Sequence, residues 1–147
     1  DDGLTKPIYS SMTNSGDELR ISADQIVSTE EKETAFIKSA VLRVFSDSGA
    51  NLFLSSDTAL LNKGKKNLIF SKNVILKTDD KMEITAPEII IALDETLLKA
   101  DGPIKGLYGS SNIEAGQLDI YREDKSSNLV ISFTKGVKMV YDNSQSF

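Results

Sequence analysis

Apolar and polar residues alternate along most of this chain, and the alternation keeps breaking at residues that strands avoid. In Leu52, Leu54, Ser56 and again in Met82, Ile84, Ala86, every second side chain is apolar or small, the period-two signature of a half-buried strand. The runs LRISADQIV, LFLSSDTALL, MEITAPEIII and NIEAGQLDIY share this shape, with Ile21, Leu54, Ile84 and Ile113 in register at spacings of 33, 30 and 29 residues. Each run then meets Asp24, Asp57, Pro87 or Gly116, all poor strand residues, and resumes one step out of phase at Ile26, at Ala59, at Ile89 and at Leu118. A one-residue slip is what a β-bulge produces, bending the strand while keeping one face inward.

A second set of interruptions follows the first. Ala40, Asn73, Pro103 and Gly136 each precede an aliphatic residue, Val41, Val74, Ile104 and Val137, at spacings of 33, 30 and 33. They predict a second corner in each repeat. The chain therefore reads as all-β: four repeats of roughly 30 residues and about sixteen short strands. These form a twisted jelly-roll of two facing antiparallel sheets, with polar tips at STEEKET, NKGKKN, DET and REDKSSN. Glu88 to Ala100, EIIIALDETLLKA, has fair helix propensity, but the repeat register makes it strand, tip, strand.

Composition then narrows the function. Residues 1–147 fit one domain, and a net charge of −5 argues against nucleic acid, whose phosphates need clustered Lys and Arg. No apolar run of about 18 residues predicts a membrane span, so any anchor is expected upstream of Asp1. Histidine and cysteine are absent, which removes the commonest base, nucleophile and metal ligand. The paired acids Asp79 and Asp80, Glu30 and Glu31, Glu123 and Asp124 fall at tips and read as solvated charge, as do Lys63, Lys65 and Lys66. No cofactor, metal or catalytic site is expected.

Several stretches in order resemble the periplasmic domain of the LptC family, related to the OstA-like domains. KPIYSSMTNSGDELRISADQI is similar to the family's opening strand, glycine turn and strand ending in Ala-Asp; FIKSAVLRVF, LYGSSNIEAGQLDI and GVKMVY follow in the expected order. The resemblance implies a β-jelly-roll that receives lipopolysaccharide extracted from the inner membrane and holds its acyl chains between the sheets. It implies pairing with LptF and LptG, driven by LptB, at the N-terminal edge, and delivery to LptA at the C-terminal edge. It also implies an N-terminal membrane anchor, and it makes Gly16, Gly109 and Val137 interface-sensitive. The final DNSQSF is shorter than the tail of some members.

Combined with the alternation, the resemblance makes Leu19, Ile21, Leu52, Leu54, Leu68, Phe70, Met82, Ile84, Ile113, Ile131, Phe133 and Met139 the inward residues of an acyl-chain trough. Two other readings stand beside it: a free LptA-like shuttle, and an assembly module with a solid core that binds no lipid. A homodimer through paired edges is compatible with each.

Overall fold

Most strands of this protein pair on both sides of a bend, and that sets the architecture. The computed structural model describes residues 6–28, 33–46, 49–122 and 128–141. They form β1 (Lys6–Met12), β2 (Glu18–Ala23), β3 (Gln25–Ser28), β4 (Thr34–Phe45), β5 (Asn51–Asn62), β6 (Asn67–Thr78), β7 (Met82–Ala92), β8 (Leu97–Tyr108), β9 (Ser111–Arg122), β10 (Leu129–Thr134) and β11 (Lys138–Tyr141). All belong to one antiparallel sheet in the order β1-β2-β4-β5-β6-β7-β8-β9-β10, with β3 beside β4 and β11 beside β9.

Among the described residues the expected sixteen short strands are thus eleven. The corners lie where the sequence places them, yet six strands run through their corners unbroken, because a bulge absorbs extra residues without ending the ladder. Register shifts fall between Ser55 and Thr58, Ser71 and Val74, Thr85 and Ile90, and Asp101 and Ile104, spanning Asp57, Asn73, Pro87 and Pro103. Among the described corners, only at Asp24 and at Lys135–Val137 does the strand itself stop, dividing β2 from β3 and β10 from β11. Glu88 to Ala100 is strand, turn, strand.

Two kinds of corner occur. In β5 the buried residues are Leu52, Leu54 and Ser56, then Ala59 and Leu61, so the inward parity changes at Asp57. In β6 they are Leu68 and Phe70, then Val74 and Leu76, and parity is kept because Lys72 and Asn73 both turn outward at positive φ (67° and 54°). The corners divide the sheet into a near arm, holding β1, β2 and β11, and a far arm, holding β3 and β10.

Packing at one corner is tight. Gly116 N–H donates to the Lys135 carbonyl at 2.8 Å, and a Cβ on Gly116 would stand 2.7 Å from that oxygen. Glycine is required here by close approach of backbone.

The two arms also meet at a distance. Asp17, in the turn before β2, is fully buried and takes a forked pair of hydrogen bonds from Arg122 at the end of β9, both at 2.9 Å. The Thr96 hydroxyl, from the β7–β8 turn, donates to the same carboxylate, and Arg122 also donates to the Ser46 hydroxyl. Asn14 N–H to the Asp94 carbonyl (2.9 Å) and Ser11 Oγ to the Leu93 carbonyl (2.9 Å) complete the seam. These contacts hold the turn before β2 against the far tips of β7–β9, so the sheet is folded over on itself. Gly16, at φ 91° beside Asp17, lets the turn close.

Breaking one side of such a buried pair strands a charge. Asp17→Ala is expected to lower unfolding free energy by about 3–5 kcal/mol, with Asp17→Leu/Arg122→Met recovering most of it; urea unfolding of the double-mutant cycle checks this. At the corners, Gly116→Ala should cost about 1–3 kcal/mol through overpacking. Gly106→Ala, where an added Cβ makes only contacts of 3.6–3.8 Å, should leave the urea midpoint unchanged or slightly raised.

Candidate functional site

The inward residues line up in rows because directly paired residues share a face of the sheet. In the near arm one row runs Tyr9, Ile21, Leu42, Leu54, Leu76, Ile84, Gly106, Ile113, Met139, each paired with the next. In the far arm another runs Ala35, Leu61, Leu68, Ile91, Leu98, Ile120, Ile131. Every member of both rows is apolar, apart from the glycine and the hydroxyl of Tyr9.

The structure brings together most of the residues singled out from sequence. Leu19, Ile21, Leu52, Leu54, Leu68, Phe70 and Ile84 are buried, and Met82, Ile131 and Phe133 are half-buried and packed against the same core. Ile113 is nearly closed at 6% exposed.

Met139 departs from the expectation of a covered inward side chain. It is paired with Ile113 and so lies on the inner face, yet it is 62% exposed, since β11 is the last lane and no further strand covers it. The near row therefore passes from full burial at Ile84 to open solvent at Met139. The far row shows the same trend, from buried Ile120 to half-buried Ile131. Phe133 lies between the arms at this end, with its ring tip 3.7 Å from where a Gly106 Cβ would be. The core is shut at its centre and opens at the β10–β11 end.

That end is also an unpaired backbone edge. β10 and β11 each bond β9 on one side, and Val137, Met139, Val140 and Tyr141 are all exposed. An open edge next to an apolar floor offers main-chain hydrogen bonds and side-chain pockets at once, which is how strand addition binds a partner. Gly109 sits in the β8–β9 turn at φ 61°.

Sequence reasoning missed several residues. Leu42, Leu76 and Leu98 complete the rows with Ile91 and Ile120, which the resumed alternation after the corners already marks, and the alternation within VLRVF and VILKT was the signal that could have found the first two. Asp17, Thr96 and Arg122 carried no local signal. The acid pairs Glu30–Glu31 and Glu123–Asp124 and the tail DNSQSF lie outside the described residues. Asp79 is exposed and accepts the Asn51 N–H at 2.9 Å, a structural role.

The family model described as "Lipopolysaccharide-assembly, LptC-related" matches residues 6–145. The chain belongs to the LptC family. Membership carries a role in the Lpt lipid-transport pathway as a non-catalytic periplasmic adaptor that takes part in the Lpt complex. No curated protein matches the chain. Among the described residues no group of histidine, cysteine or carboxylates is arranged to hold a metal, and no helix is long and apolar enough to cross a membrane.

The burial gradient along the near row makes a direct stability contrast. Ile84→Asp places a charge at a closed position and should unfold the protein or cost at least about 4 kcal/mol, whereas Met139→Asp should change stability by no more than about 0.5 kcal/mol. Thermal melts of the two variants test the direction in which the core opens.

Proposed function

We propose that this chain is a lipopolysaccharide relay, a β-jelly-roll over residues 1–147 whose two arms are facing sheets built from four repeats. It takes lipopolysaccharide extracted by LptB, LptF and LptG and passes it to LptA. The observation that carries the reading is the opening of two apolar rows at the β10–β11 end, beside an unpaired edge. Ile113, Ile131, Phe133 and Met139 are the first contacts for acyl chains there, and Ile84, Leu54, Ile21, Leu19, Leu52, Leu68, Phe70 and Met82 form the interior into which the chains would work. Each buried methylene contributes about 0.8 kcal/mol, so an acyl chain can replace side-chain contacts at comparable free energy and still be released.

On this reading β11 and Val137 pair with LptA, and the β1 edge, with Gly16 behind it, faces LptF and LptG. An inner-membrane anchor upstream of Asp1 would tether the domain. Gly109 shapes the turn that sets the last lanes. No cofactor takes part.

The full closure of the central residues favours one rival, an assembly module that joins neighbours without taking up lipid. Photo-crosslinking separates the two. Probes at Phe133 and Ile84 should label lipopolysaccharide, Phe133 more strongly, with little labelling from Lys77 on the outer face. Labelling at neither position, in protein that still pairs with LptA, would make the domain a connector.

A further inference from the structure

The outward faces of the two arms differ in chemistry. In the near arm the row Arg20, Arg43, Phe53, Lys77, Glu83 is largely charged, with Arg20 stacked 4.9 Å over Phe45 and Arg43 5.1 Å over Phe53. The equivalent row of the far arm is apolar: Val27, Phe36, Leu60, Ile69 and Ile90 are paired in succession across β3 to β7. Four of the five are 37–42% exposed, on a face that in an antiparallel sheet is ordinarily polar. With neighbouring strands about 4.8 Å apart, the row is about 19 Å long. It is one side chain wide.

A cation ends the row. Ile90 pairs with Lys99, and Ile90 and Lys99 line a groove of about 360 Å³ with Lys65, Lys66, Asn67, Ala92, Leu97 and Asp94. In a protein of net charge −5, none of these three lysines is in an ion pair among the described residues. Asp94 lies in the groove, and the Glu33 carboxylate approaches Gly64 at its rim. Asn67 Oδ1 is buried there with no hydrogen-bond partner.

We propose that this face is a second binding site, separate from the interior, for a monomeric amphiphile with one long alkyl chain and an anionic head. The chain lies along the apolar row and the head sits among Lys65, Lys66 and Lys99. A single chain fits a row one residue wide, and the groove at one end fixes its direction. The site stands on the outer face and does not rest on the relay reading.

The test is calorimetric titration of the 147-residue chain with palmitate below its aggregation concentration, with octanoate and anionic phosphatidylglycerol vesicles as separate arms. Palmitate should bind at least tenfold more tightly than octanoate. Lys66→Glu/Lys99→Glu and Leu60→Thr/Ile90→Thr should each weaken it at least tenfold, with thermal midpoints near wild type because all four side chains are exposed. Unchanged palmitate affinity in both double variants would overturn the proposal. So would capture by vesicles without binding of palmitate, which would make the face a membrane-docking surface. Crosslinking of lipopolysaccharide from Ile84 or Phe133 in the same variants keeps the two sites distinguishable, since the interior is untouched by either substitution.

Discussion

A strand cannot keep the same face inward around a corner unless its backbone absorbs a residue or two there, and every other feature of this protein follows from that constraint. Corner residues with positive φ, bulges opposite them and the Gly116–Lys135 approach let eight successive lanes bend along a common line while still bonded to one another. A sheet that remains continuous through its bend has one ladder and two arms, and side chains from both point into the same core. The hydrogen bonds then contribute register, and the apolar rows contribute most of the stabilisation.

Besides the shared apolar core, a polar seam ties the two arms together. The seam of Asp17, Arg122, Thr96 and Ser46 joins segments 105 residues apart in sequence at the cost of desolvating two charges. It adds little net stability over an apolar replacement of equal shape, but its forked geometry permits one alignment of the arms. The charge pair is suited to specifying how far the sheet folds over.

The corners were legible in the sequence because Asp, Asn, Pro and Gly are strand-poor, and their period showed that the interruptions recur at equivalent places in each repeat. The parity change at Asp57 could be read from Leu54 and Ala59 alone. The strand count was not, since whether Asn73 ends a strand or bends it depends on the ladder of its neighbours. Nor was the exposure of Met139. Its alternation matches that of Ile84, and only its rank as the last lane, a property of the whole sheet, separates an edge residue from a core one. Asp17 and Arg122 gave no signal because each looks like an ordinary polar residue near a tip.

The continuous row from Tyr9 to Met139 has a further meaning. Its order follows the order of the strands in the chain, so the two ends of the sheet are chemically unlike: the first lanes are tied through the turn before β2 to the tips of β7–β9, and the last is bare and apolar. A strand from another molecule placed beyond β11 would prolong that row in one sense only. The molecule thus has a head and a tail fixed by covalent sequence, and a line of such units has a polarity that no moving part is needed to impose.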